Sequence, residues 1–172
     1  MSVPVAVKLH PCFSSIAEMA LRLDRAGAGG LVLFSRFLQP GTDPETLAVT
    51  AGFGLSDPAG ARLPRTWIAL LAGRVRASLA AAAGVDDSSD VARYLLAGAD
   101  VVMTAPALIR HGPQHAAVLP DGLSSWMSRK GFATVAAARG LLSVPAGAGE
   151  SARERAGYVA ALQAANHDDG PW

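Results

Sequence analysis

The sequence predicts an α/β protein built on a parallel sheet, and three observations carry that prediction. Four β-prone apolar stretches alternate with helical ones over the first 105 residues, the pattern of parallel strands joined by helical crossovers. Two helix-to-strand junctions share an Ala-Gly-Ala handover, in "AGAGGLVLF" and "AGADVVM". The run "GLVLF", residues 30–34, is apolar throughout, as in a strand buried on both faces. Two architectures compete, a (β/α) barrel and an open doubly wound sheet. A complete barrel needs eight strands and about 250 residues. Four strands in 172 residues make half a barrel or a small open sheet.

The elements follow in order. "VPVAVKL", residues 3–9, is β-branched and apolar, and His10-Pro11 ends it. Ser14 or Ser15 caps the next helix, with Glu18 as capping-box partner of Ser15. Ile16, Met19, Ala20 and Leu23 recur at helical spacing, and Gly27 closes the helix. After the second strand, residues 37–61 form a long loop with room for a small hairpin, and a long ordered insertion is usually functional. Residues 62–75 are helical after Pro64. The third strand, "ASLAAAAGV" at 77–85, is alanine-rich, so propensity alone favours helix; its place between two helices makes it a strand. Asp87 to Ser89 cap a helix over 89–97, and "ADVVMTA", 99–105, is the fourth strand. Helices over 113–130, 132–140 and 150–165 complete the chain. The expected organisation is four βα units over 1–110 and a helical segment over 111–172 that packs on them.

Bulk properties narrow the function classes. Apolar residues make up 51% of the chain and mean hydropathy is +0.28, ample for a core. The formal net charge of +1 gives no electrostatic case for nucleic acid or an anionic membrane. A single cysteine, Cys12, suits a reducing compartment. No apolar run reaches the length of a membrane span and the opening lacks signal-peptide flanks, so a cytoplasmic protein is expected.

Chemistry in parallel α/β folds sits beyond the carboxyl ends of the strands. Lys8 stands one residue before such an end. It is either an ammonium aimed into a mouth, able to stabilise an anionic ring or oxyanion, or a solvated or ion-paired lysine. Gly84 and Thr104 end consecutive strands, each followed by helical sequence, a pairing that suits phosphate. Thr104 would offer its hydroxyl and amide. His111 and His115 have a ligand spacing, but Gly112-Pro113 breaks the helix between them, so they read as surface histidines. Cys12 has no nucleophile signature. No metal-ligand cluster, P-loop or GxGxxG is present.

"VPVAVKLHPCFSSIAEMALRLDRAGAGGLVLFSRF", "LPRTWIALLAGRV", "YLLAGADVVMTAPALIRHGP" and "WMSRKGF" together resemble the carboxyl-terminal half of the dihydroorotate dehydrogenase-like flavoproteins. These are FMN-dependent (β/α)8 barrels related to class 1 dihydroorotate dehydrogenases. The resemblance implies that the four strands are the family's fifth to eighth, with additional carboxyl-terminal helices. It gives Lys8 the role of the lysine at the flavin ring. Ala83-Gly84 and Met103-Thr104 fall on the FMN phosphate-binding pairs. Ser35 falls on the substrate-binding asparagine of a Phe-Asn-Arg triplet, for a dihydropyrimidine-type substrate. Two departures stand out. Serine at 35 lacks the two-sided amide, and Ala83 adds a methyl where the family has glycine.

The resemblance further implies that the first four strands are missing, and with them the loop bearing the catalytic cysteine or serine base; Cys12 follows a different strand and does not replace it. Three readings follow. One is a truncated dihydroorotate dehydrogenase-like oxidoreductase of pyrimidine biosynthesis without its base. Another is a non-catalytic phosphate- or nucleotide-binding half-barrel. The last is an inactive gene remnant. A half-barrel exposes its outer strands as open edges, so a homo-oligomer or a complementary half-barrel partner is expected.

Overall fold

A computed structural model describes residues 3–34, 40–50 and 54–145. Its main sheet holds β1 (Ala6–Lys8), β2 (Gly30–Leu33), β5 (Ser78–Ala81) and β6 (Val101–Val102), in the order β1-β2-β5-β6. Every pairing is parallel: Lys8 lies beside Val32, Val32 beside Ala80 and Ala80 beside Val101. Each main-sheet strand adds on the far side of its predecessor, with no reversal of order. A doubly wound sheet reverses at a switch point; this one winds in a single direction.

The crossovers are α1 (Ile16–Arg25), α2 (Arg62–Leu71) and α3 (Ser88–Ala97). They cover one face of the sheet, where Leu31, Leu33, Leu79 and Ala81 are buried in one cluster with Ile16, Ala20, Ile68, Leu71, Tyr94 and Ala97. Side chains alternate along a strand, so Ala6, Lys8, Val32, Ala80 and Val101 fall on the other face.

Local chemistry explains the boundaries. Ser15 caps α1 and accepts the Glu18 N–H. The reciprocal capping box predicted there forms instead on α3, between Asp87 and Asp90. Gly27 and Gly98, the glycines of the two Ala-Gly-Ala handovers, take φ of +93° and +113°, values that glycine adopts without strain. At Gly98 a side chain would also meet the Ala72 methyl at 2.6 Å. The start of β5 is pinned by Asp24 of α1, whose carboxylate accepts N–H bonds from Ala77 and Arg76 at 2.8 and 2.9 Å. The Ala77 bond, foremost, holds the Asp24 carboxyl below its ordinary range. Asp100 also holds β5, accepting the Leu79 N–H at 2.8 Å.

Several predicted lengths are corrected. The strand expected over 77–85 pairs only over Ser78–Ala81, because the chain bends at Gly84, φ +63°. The strand expected over 99–105 pairs only at Val101–Val102. The helix expected over 62–75 stops at Leu71, before the left-handed Gly73. The helix expected over 132–140 shrinks to α6 (Val135–Ala138), between left-handed Gly131 and Gly140. The long loop carries a hairpin, β3 (Gly41–Asp43) with β4 (Ala48–Thr50), then a 3-10 turn over Pro58–Ala61. Beyond β6 come α4 (Pro106–His111) and α5 (His115–Lys130), the latter lying against α3. The helix predicted over 150–165 lies outside the described residues. No helix among the described residues is long and apolar enough to cross a membrane.

Asp90 is 2% exposed, and its carboxylate accepts the N–H groups of Asp86 and Asp87 and pairs with Arg93 at 2.9 Å. Asp90→Ala leaves those amides without their acceptor, so urea unfolding should show a loss of about 1–3 kcal/mol. A loss within the noise of the measurement would contradict this anchoring.

Candidate functional site

The carboxyl ends of the four parallel strands converge on one hollow of about 390 Å³. Lys8 at the end of β1 lines it, with Phe34 after β2, Leu55 and Ser56 from the segment after the hairpin, and Ala83, Met103 and Thr104 after β5 and β6. Four of the residues singled out in the sequence, Lys8, Ala83, Met103 and Thr104, thus share one concavity. Its wall is largely apolar, and Lys8 is its one cationic side chain among the lining residues. Ser35 lies outside the described residues, next to Phe34 in the chain.

Gly84 has a different place. It is buried behind the hollow and does not line it. Its N–H donates to Ser56 Oγ at 3.3 Å. A side chain there would meet the Ala61 amide nitrogen and the Asp57 carbonyl at 2.6 Å. Only glycine suits both that closeness and its positive φ. Gly84 therefore lets the loop after β5 lie directly on the 3-10 turn, which sets where Ala83 stands.

The Thr104 hydroxyl is also engaged inside the protein. It donates to the Val85 carbonyl at 2.9 Å and accepts the Ala107 N–H at 3.4 Å. One hydroxyl so ties the end of β6 to the loop after β5 and to the start of α4. Its single proton is used in this contact.

Four residues that build the mouth were not picked out in the sequence. Tyr94, buried on α3, donates its hydroxyl to the Ala83 carbonyl at 2.6 Å. Burial, chiefly, raises the phenol well above its usual value, so it stays a donor. Its signal was its place on the core face of a helix one strand-loop away. Arg110 of α4 donates to Asp86 Oδ1 at 3.1 Å and to the Ser56 carbonyl at 2.7 Å. The segments that carry Ser56, Asp86 and Arg110 are thus clasped by one guanidinium.

His111 and His115 are drawn together across the Gly112-Pro113 break, with ring centroids 4.6 Å apart. Both meet Asp86, His111 at its carboxylate (3.1 Å) and His115 at its carbonyl (2.7 Å). Asp86 stands 25 residues from His111 in sequence, which is why no carboxylate partner was visible there. The hydrogen bond with His111, first, and then Arg110 hold the Asp86 carboxyl below the ordinary range. Among the described residues no group of three or more His, Cys, Asp or Glu side chains is disposed to hold a metal ion.

A mouth built from the ends of successive parallel strands can now be set beside known proteins. Over 110 residues the chain is 36% identical to the dihydroorotate dehydrogenase B (NAD(+)) catalytic subunit of Halalkalibacterium halodurans, covering 62% of this chain and 36% of that one. The corresponding subunit of Trichlorobacter lovleyi is 29% identical over 140 residues, covering 79% and 45%. This chain resembles the catalytic subunits of dihydroorotate dehydrogenases. It spans less than half the length of these relatives. Dihydroorotate dehydrogenase from Eimeria tenella, solved in complex with ferulenol, matches the fold with a TM-score of 0.65 at 22% identity, over 83% of this chain and 39% of that one. Its ligand-free form also gives 0.65, at 23% identity. No family model matches the chain.

The lowered Asp86 value gives the loops around the hollow an acid dependence. A depressed folded value stabilises the protein above the unfolded carboxylate value, about 3.9, and that contribution is lost as pH falls through the folded value. Asp86→Asn should therefore cost about 1 kcal/mol at pH 7. The gap from wild type should close as pH drops below about 4. Unfolding curves collected over that pH series check it; a gap that stays constant into strong acid would count against the clasp.

Proposed function

We propose that this chain is a dihydroorotate dehydrogenase-like protein whose four strands are the fifth to eighth of a (β/α)8 barrel and which holds FMN at the carboxyl-end mouth. The single observation that supports the reading best is the convergence of Lys8, Ala83, Met103 and Thr104 on one hollow at the strand ends. Strand order in one winding direction and likeness to dihydroorotate dehydrogenase subunits support it further. In this reading, residues 1–110 form the four βα units and 111–172 the helical segment on them.

The residues present suit such a ligand. A flat, partly apolar ring matches the wall of Phe34, Leu55, Met103 and Pro106. Lys8 supplies a positive charge beside it, fit to hold an anionic ring. Ala83 and Gly84, fixed by Tyr94 and by the 3-10 turn, and Met103-Thr104, fixed by the Val85 carbonyl, bring two strand ends to where a phosphate would bind. With the Thr104 proton given to Val85, main-chain N–H groups are the donors left for it. FMN, when bound, supplies two-electron redox chemistry to a dihydropyrimidine. Ser35 would contact that substrate, its hydroxyl giving one hydrogen bond where an amide gives two.

By the family resemblance the proton-removing base belongs to a loop of the first four strands, so in this reading the described residues bind the cofactor without turning substrate over. The competing reading is a phosphate- or nucleotide-binding half-barrel with no redox role, favoured by the methyl of Ala83 and the engaged Thr104 hydroxyl. A cytoplasmic setting goes with either.

Titration of FMN against the purified chain, followed by flavin fluorescence, separates them. One FMN per chain is expected, weakened about tenfold or more by Lys8→Ala, the equivalent of about 1.4 kcal/mol. Anaerobic dihydroorotate should leave the bound flavin oxidised. Protein that binds inorganic phosphate but no FMN would reject the flavin reading.

A further inference from the structure

One wall of the hollow comes from outside the main sheet. Leu55 and Ser56 line it, on the stretch between the hairpin and the 3-10 turn. The strand-end loops that this stretch faces are distant in sequence, so contacts have to place it. Ser56 makes two of them, to residues 28 and 54 positions away. Its Oγ accepts the Gly84 N–H at 3.3 Å, which is long for a hydrogen bond. Its carbonyl accepts from Arg110 Nη2 at 2.7 Å. That second bond is the shorter, and the charge of the guanidinium strengthens it.

We propose that Arg110 is the positioning residue of this wall: through the Ser56 carbonyl it sets where Leu55 and Ser56 stand over the hollow, and so how tightly the hollow holds its ligand. The identity of that ligand, FMN, rests on the reading above. Arg110 is not among the residues that line the hollow, so it acts through Ser56. Its own aim is set from the far side. Asp86 Oδ1 accepts from Arg110 Nη1 at 3.1 Å, while Asp86 Oδ2 meets His111 Nε2 at 3.1 Å. Both oxygens of the carboxylate are thus engaged. The guanidinium lies between two held acceptors, an arrangement that suits its rigid planar fork. One line of contacts, Ser56 to Arg110 to Asp86 to His111, joins the wall to α4 and to the loop after β5.

An ordinary surface ion pair would account for the Asp86 contact alone. The Arg110 and Asp86 side chains are 31% and 30% exposed, and pairs of that kind add little to stability. The bond to Ser56 departs from that pattern. The same guanidinium reaches a main-chain carbonyl on a third segment, next to residues that line the hollow. Arg110 has no part in the buried cluster that holds the helices to the sheet. Its loss should therefore free the wall and leave the core intact, which separates a positioning role from a stabilising one.

Amide hydrogen exchange of the full chain tests this without any ligand. In Arg110→Ala the Gly84 N–H, whose acceptor is Ser56 Oγ, should exchange about tenfold faster or more. Amides of β2 and β5 should keep their protection. Guanidinium ions, added far below the concentrations that unfold proteins, should restore the Gly84 protection, and sodium at the same concentration should not. In the double variant Asp86→Ala, Arg110→Ala the guanidinium should have no effect, because the carboxylate that aims it is gone. FMN titrated into the same samples should bind Arg110→Ala about tenfold or more weakly, with affinity regained in guanidinium. Unchanged Gly84 exchange, protection lost from β2 and β5 as well, rescue that ignores Asp86, or FMN held equally by variant and wild type would overturn the proposal. Wild-type protein that takes up no FMN rejects the flavin reading, and the exchange results then decide the role of Arg110 by themselves.

Discussion

Parallel pairing of β5 between β2 and β6 is the constraint on which the rest depends. β5 joins the two halves of the sheet, and without it Lys8 and Thr104 would stand on separate βα fragments. Its four residues, Ser78–Ala81, carry little intrinsic strand preference. What makes them a strand is tertiary. Asp24 and Asp100 grip N–H groups at its start, and both neighbours pair with it in register. Alanine then becomes useful, since small side chains let α2 and α3 come close: Ala77 and Ala81 are buried in the same cluster as Ile68 and Tyr94.

A single winding direction has a consequence for chemistry. Every strand ends on the same rim, so loops distant in sequence become neighbours there, and each has to be held. Three devices do so. Gly84 removes a side chain where the loop meets the 3-10 turn, Tyr94 fixes the Ala83 carbonyl from the core, and Arg110 clasps Asp86 and the Ser56 carbonyl. None of these groups needs to touch a ligand. Their effect is to pre-set the positions of groups that line the hollow.

Much of this was legible in the chain. Apolar continuity at 30–34 and the two Ala-Gly-Ala handovers marked the parallel βα units, because a strand buried on both faces and a left-handed turn each demand particular residues. Lys8, Ala83, Met103 and Thr104 were legible as strand-end residues, and they line one hollow. The strand lengths were not legible: β6 runs only over Val101–Val102, and two residues on the Thr104 hydroxyl bonds to the Val85 carbonyl. Neither was the partnership of Asp86 with His111, since a contact across 25 residues leaves no local pattern. The place of Gly84 behind the site escaped notice for a related reason. A turn glycine and a ligand-facing glycine look alike until the 3-10 turn is seen packed against it.

The account's central claim is the order and register of the four strands, and nuclear Overhauser contacts across the sheet test it most directly. Contacts should link Lys8 to Val32, Val32 to Ala80, and Ala80 to Val101, as parallel neighbours in one row. Val32 found beside Val101 with no Ala80 between them, or residues 78–81 giving the sequential contacts of a helix, would contradict it.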